Sequence, residues 1–245
     1  FCWAAVAARE PRVLAAVAIH PNEAPERQQK GTLDDALYVI DDLAKRPRVV
    51  AIGETGLDFY RTEAPLHQAQ RRSFVEHIRL AKSHNIALQI YDRDAHQGVV
   101  DILLKEGAPE RTVFHCFSGD AELAGILNEH GWYASFAGTV TFTNAKKLQA
   151  ALQVMDKKRI LIETDTPFLT PQPHRGKPNS PYMIPHTLRY MAKKLEMDED
   201  ALAQQLTKNT MQVYGRWDDN PVRVRTNPVT GQPWDELEPS PFHES

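Results

Sequence analysis

Apolar residues in this chain fall into short dense runs, separated by longer stretches in which they recur every three or four positions. The runs are VLAAVAI (13–19), VVAIG (49–53), IALQI (86–90), TVFHC (112–116), WYASFA (132–137) and ILIET (160–164). They are nearly continuous in hydrophobicity rather than alternating, which is how strands buried on both faces of a parallel sheet read. Between them the spacing predicts amphipathic helices, for example over residues 33–45, 68–84 and 121–130. Gly31 before the first and Gly131 after the last suit loop and C-cap positions. Two further helices, over 182–195 and 199–214, close the pattern. Strand–helix alternation of this kind predicts βα units.

Six such strands would complete an open doubly wound sheet, whereas a (β/α)8 barrel needs eight. The chain opens at Phe1 in what reads as the end of a helix. The expectation is therefore an α/β TIM barrel lacking about two N-terminal strands, with an open edge where they would stand. Residues 1–217 form that barrel domain. From Asp218 the composition turns to Asn, Pro, Thr and charge without apolar periodicity, so 218–245 is expected as a flexible or loosely docked tail. No internal repeat and no Gly-rich phosphate loop occurs.

Composition narrows the class. Of 245 residues, 42% are hydrophobic and 25% charged, as in an ordinary soluble globular protein. The formal net charge of −3 means that a nucleic-acid partner would need a local basic patch. Two cysteines, Cys2 and Cys116, are too few for a disulfide framework and favour a cytoplasmic location. No stretch approaches the ~20 apolar residues that span a bilayer. Arg9, Glu10, Pro11 and Arg12 interrupt the Ala-rich start, which argues against a signal peptide.

The chemistry gathers at the strand ends. VVAIG runs into Glu54, TVF into His115 and ILIET into Asp165. In a barrel the C-terminal strand ends converge on one face, while an open sheet would spread them along a line. That convergence decides for the barrel. Taken singly, a strand-end histidine is often just hydrogen-bonded, and a strand-end acid often caps the next helix. Together, one imidazole and two carboxylates suit Zn²⁺ or Mn²⁺, and Mg²⁺ where carboxylate and water dominate.

The motifs GETGLDFYR (53–61), RDA (93–95), FHCFSG (114–119), SFAGTVTFTNA (135–145) and ETDTPFLTPQPHRGKPNSP (163–181) carry a resemblance. In order, and from residue 15 to 214, the chain resembles the TatD-type metal-dependent deoxyribonucleases, a branch of the amidohydrolase-like barrels. The resemblance implies a barrel that hydrolyses DNA phosphodiesters with one or two divalent ions (Mg, Mn or Zn), of the 3′-exonuclease type acting on single-stranded or 3′ ends. It implies that Glu54 bridges two metals, that His115 binds one, and that Asp165 binds a metal and orients or deprotonates the attacking water.

Two departures qualify that ligand set. The His-x-His pair with which the family opens is absent, and QIYDRDA places Tyr91 where the family has a histidine ligand. Neighbouring Asp92 should face the other side of the strand. The expectation is one site built from Glu54, His115 and Asp165, with the second weak or lost. His20 matches a family His-Pro and faces the same mouth, to contact substrate or serve a structural role. Arg61 and Arg93 suit bidentate phosphate binding, Arg93 alternatively an ion pair with Asp58, Asp92 or Asp94. His174, Arg175 and Lys177, around Gly176, form the candidate basic patch for the DNA backbone. Phe59, Tyr60 and Phe117 are candidates for base stacking. Cys116, Trp132, Phe142 and Met155 read as packing, the thiol pointing away from the site.

The same metal site would serve another ester, including aminoacyl-tRNA. Tyr91 and the missing pair also point to a third possibility, a catalytically silent barrel that binds nucleic acid or a partner protein. The oligomeric state is not legible, and a monomer is compatible with everything above.

Overall fold

The computed structural model describes residues 2–10 and 12–215, so the expected tail over 218–245 lies outside the described residues. Six strands, β1 (Ala15–Val17), β2 (Val49–Asp58), β3 (Ala87–Arg93), β4 (Thr112–Phe114), β5 (Tyr133–Phe136) and β6 (Ile160–Ile162), form one sheet. Every strand pairs in parallel with its sequence neighbour, in the order β1 to β6. A doubly wound sheet reverses its order at a switch point; a barrel wall does not. The fold is of the TIM-barrel class, and among the described residues its wall has edges at β1 and β6.

The first helix is α1 (Cys2–Ala7), and α2 (Ala24–Gln29) and α3 (Leu33–Ala44) follow β1. Helices α4 (His67–His84), α5 (His96–Glu106), α6 (Ala121–His130) and α7 (Lys146–Val154) make the remaining crossovers, and α8 (Ile184–Leu195) and α9 (Glu199–Tyr214) follow β6. None of the described helices is long and apolar enough to cross a membrane.

Burial divides the apolar residues into two sets, as a barrel requires. Ala51, Ala87, Val113, Tyr133 and Leu161, one from each of five strands, cluster with Val213 and the half-buried Ala16 and Tyr214. That is one interior layer. Alternate residues on the strands pack outward against the helices, in a larger core that includes Phe74, Ile78, Leu103, Leu127 and Leu152. Because side chains alternate along a strand, the positions two residues beyond the interior layer face inward again, nearer the mouth. They include Gln89, whose amide donates to the Tyr214 hydroxyl at 2.7 Å, as well as His115 and Glu163.

Strand β2 is longer than its hydrophobic run, continuing through GETGLD to Asp58. Its register slips between Ile52↔Leu88 and Thr55↔Ile90, three steps on β2 against two on β3. Such a bulge re-aims the side chains around it. Two glycines make it possible. A Cβ on Gly56, at φ +140°, would stand 2.1 Å from the Tyr91 carbonyl oxygen, and one on Gly53 would stand 2.4 Å from the Gln89 Cβ. No other residue fits either position without moving backbone or core.

Helix α4 buries a polar residue on its inner face. His77 is fully buried; its Nδ1–H donates to the Ser73 carbonyl at 2.6 Å, and its Nε2 accepts the Ile19 N–H at 3.0 Å. Both ring nitrogens are thereby satisfied in the neutral form. The imidazole ties α4 to the chain leaving β1, one residue before His20.

Candidate metal centre

Strands β2, β4 and β6 deliver Glu54, His115 and Asp165 to one point. One ligand atom from each lies within 4.8 Å of the others. His115 Nε2 stands 3.4 Å from Glu54 Oε1 and 4.0 Å from Asp165 Oδ1. On its other side, His115 Nδ1 is 2.5 Å from Glu163 Oε2. Nδ1–H therefore donates to Glu163, which turns Nε2 toward the two remaining carboxylates. A carboxylate behind a histidine in this way fixes tautomer and ring orientation for a metal on the far nitrogen. Asp165 holds φ +56°, a left-handed conformation that Asp tolerates better than most residues.

The charges are mutually dependent. Burial disfavours the His115 cation, yet Glu163 and then Glu54 outweigh it and hold the imidazole well above its ordinary pKa. Burial, reinforced by Glu163 and Glu54 against the pull of His115, pushes the Asp165 carboxyl up to about 6. Burial also opposes the charged form of Glu54, but the hydrogen bond and charge of His115 keep that carboxyl below its usual range. Protons on His115 and Asp165 thus offset an excess of negative charge, as a divalent cation would do in their place. One imidazole nitrogen and two carboxylates are a donor set such an ion accepts.

Glu163 was not singled out from the sequence, although ILIET contains it two residues past the interior Leu161. Glu163→Ala is expected to weaken metal binding roughly 10- to 100-fold, with a smaller loss for Glu163→Gln, which keeps an acceptor but no charge. Competition with a chromophoric chelator reads the affinity directly, and an unchanged value in both variants would exclude the orienting role.

The profile of the family described as TatD related DNase matches residues 2–215. The chain belongs to the TatD-related DNase family. Among its relatives is the uncharacterized metal-dependent hydrolase TatD of Mycobacterium tuberculosis, 40% identical over 218 residues that cover 87% of this chain and 81% of that protein. Another is the uncharacterized metal-dependent hydrolase YabD of Bacillus subtilis, 38% identical over 203 residues, 82% and 77% of the two chains. The crystal structure of YJJV, a TatD homolog from Escherichia coli, shares the fold at a TM-score of 0.80 with 24% identity, covering 88% of this chain and 82% of that one. The TatD-related chain is thus a metal-dependent hydrolase by family, with a group that could hold a metal ion where the barrel mouth lies.

The other expected site residues divide. Glu54, His115 and Asp165 open on a pocket of about 690 Å³ whose walls also include His20, Arg61, Tyr91 and Arg93. His20 stays neutral, its pKa lowered first by burial, with Nδ1 accepting the Asn22 N–H at 3.2 Å. Its ring meets Tyr91 edge-on at 4.6 Å. Burial raises the Tyr91 phenol further, so it offers a protonated oxygen and makes a poor ligand. Tyr91 therefore does not replace the imidazole that the family's pattern has at its position. Asp92 bonds His96 on α5 through Oδ2, 2.7 Å away, while it also lines the pocket with a buried Oδ1 that has no hydrogen-bond partner.

The ion pair considered for Arg93 does not form. Asp58 instead accepts the backbone N–H groups of Tyr60 (3.0 Å) and Arg61 (2.8 Å) and the Asn22 amide (3.1 Å), and Asp92 is held by His96. The guanidinium carbon of Arg93 lies over the Tyr60 ring, 4.1 Å from its centroid. His174 packs against His186, Arg175 lies over Phe142 at 4.2 Å, and Lys177 closes a turn onto the His174 carbonyl. These three do not line the pocket.

Phe117 is buried, and Phe59 stacks on His67, which leaves Tyr60 as the exposed member of the three aromatic candidates. Trp132 and Met155 are buried as expected. Cys116 is a correction: it lines the pocket rather than pointing away. Alternation holds only within a strand, and β4 ends at Phe114; Cys116, at φ +46°, has already left it.

Proposed function

We propose that this chain hydrolyses phosphodiester bonds in DNA, removing nucleotides from single-stranded 3′ ends, with one divalent metal at Glu54, His115 and Asp165. The observation that carries this reading is the pairing within one pocket of an anionic metal-ligating cluster with two arginines that have no carboxylate partner among the described residues. A phosphodiester complements both halves. The family's description as DNases supports the same choice.

The metal, when bound, polarises the phosphoryl group and makes a water acidic enough to attack near neutral pH. Glu54 and Asp165 would hold it through oxygen and His115 through Nε2, with Glu163 fixing the ring. Asp165 would take the proton of the attacking water as the new P–O bond forms, and the 3′ oxygen released as the scissile P–O bond breaks takes a proton from solvent. Arg61 and Arg93 bind the non-bridging oxygens by charge-assisted hydrogen bonds and offset the charge that grows there in the transition state. These contacts position the backbone and read no sequence.

Metal analysis combined with assays on end-labelled single-stranded DNA tests the reading. Stepwise release from the 3′ end, abolished by EDTA and restored by a divalent ion, is the expected result. A metal-loaded chain that leaves DNA intact but cleaves another ester, such as an aminoacyl ester, would overturn it, and a chain that holds no metal would mark a silent barrel. Tyr91→His is further expected to raise the metal stoichiometry or affinity; no change in either would remove Tyr91 as the lost ligand position.

A further inference from the structure

Phe168 is an aromatic that the mechanism leaves unused. Its side chain is 66% exposed, yet it lines the pocket beside Asp165. The turn that presents it is held tightly. The Phe168 N–H donates to the Asp165 carbonyl at 2.8 Å. Asn179, buried at 3% exposure, donates its amide to the carbonyls of Thr164 (2.7 Å) and Phe168 (2.6 Å), and its backbone N–H to Pro167 (3.0 Å). The next residue, Leu169, approaches Gly138 so closely that a Cβ there would stand 2.1 Å from the Leu169 carbonyl oxygen. An apolar ring facing water is thus held in place at the mouth, bonded through its own backbone to a metal-ligating residue.

We propose that Phe168 is the stacking platform for the nucleobase next to the bond that is cut, an inference that rests on the nucleic-acid reading above. The anionic part of the ligand sits among the metal site, Arg61 and Arg93. What complements a flat apolar face beside it is a planar group joined to that phosphate, and a base has such a face whatever its identity. The other exposed aromatic near the pocket, Tyr60, already carries Arg93 on its ring. A base can lie on Phe168 only after leaving its neighbours in the stack, so the platform selects unpaired ends. Phe168 is in this sense a specificity-determining residue.

The test uses the full chain with Mg²⁺ and a phosphorothioate-linked trinucleotide, slow to be cut, that carries 2-aminopurine as its only base, so that no neighbour quenches it beforehand, and a 5′ dye. Quenching of 2-aminopurine reports stacking, while dye anisotropy reports binding whether or not a base stacks. Wild type is expected to quench; Phe168→Ala is expected to lose the quench and weaken binding roughly 5- to 100-fold, and Phe168→Trp to keep both. An abasic trinucleotide is expected to bind wild type and Phe168→Ala equally. Unchanged quench and affinity in Phe168→Ala would overturn the proposal, as would an equal loss with the abasic ligand, which would mark a purely structural role. If wild type binds neither trinucleotide by anisotropy, the nucleic-acid reading itself fails and the platform with it.

Discussion

Asp165→Asn is expected to lower the rate of phosphodiester hydrolysis by roughly 10²- to 10⁴-fold at saturating metal, the span typical of a lost general base. The substitution keeps size and shape and removes the proton acceptor. Asp165 is the ligand best placed for that role. Glu54 is kept charged by His115, and His115 has one nitrogen occupied by Glu163 and the other facing the cluster. The Asp165 carboxyl, pushed up by burial and by its acidic neighbours, is a weaker acid than Glu54, the other carboxylate of the cluster. Because Asn also ligates more weakly, the assay must be run over a metal titration, comparing kcat at the plateau with the metal concentration that reaches it. A plateau within threefold of wild type would show that Asp165 only binds the ion and that the water loses its proton elsewhere.

That site was legible in the sequence because it rests on strand ends, where hydrophobic runs stop at a polar residue and the fold class says that these stops converge. Glu54, His115 and Asp165 each stand at such a stop. Glu163 carries the same signal, but two carboxylates in one short motif read as a single feature until distances separate the metal-facing one from the one behind the histidine. The length of β2 was hidden for a related reason. The hydrophobic run stops at Gly53, whereas the chain continues through GETGLD as a bulged strand whose glycines make room for the backbone and side chain of β3. Cys116 and Phe168 escaped because both sit in turns, where alternation no longer predicts direction. Partners of Arg93 could not be chosen from sequence either: three aspartates lay nearby in the motifs, and which of them already had donors depends on Asn22 and His96, contributed by other elements.

Acid is expected to loosen the fold through His77, by up to about 3 kcal/mol between pH 6.5 and pH 4. Burial, with the Ser73 hydrogen bond opposing it, lowers this imidazole's pKa to about 4. The unfolded chain binds the proton from its ordinary value near 6.5. Over that window the unfolded state holds more protons than the folded one, so stability falls as pH falls; each pKa unit amounts to about 1.4 kcal/mol. Below pH 4 both states are protonated, and above 6.5 neither is, so the group adds no further slope. Structure explains the sign: a protonated ring donates from both nitrogens, and the Ile19 N–H then faces a donor where it had an acceptor. The metal site runs the other way. His115 and Asp165 both take up protons more readily in the metal-free fold, which favours folding as pH drops. The measurement is therefore a difference: urea unfolding of wild type and His77→Gln in EDTA at several pH values. Glutamine can still donate to Ser73 and accept from Ile19 but does not titrate. Wild type is expected to lose stability relative to the variant as pH falls from 6.5 to 4, and parallel curves would show that His77 charges without cost. Since Ile19 precedes His20, protonation of His77 within the folded chain frees the β1 end of the mouth, so substrate affinity should fall as pH drops through about 4 in wild type more than in His77→Gln.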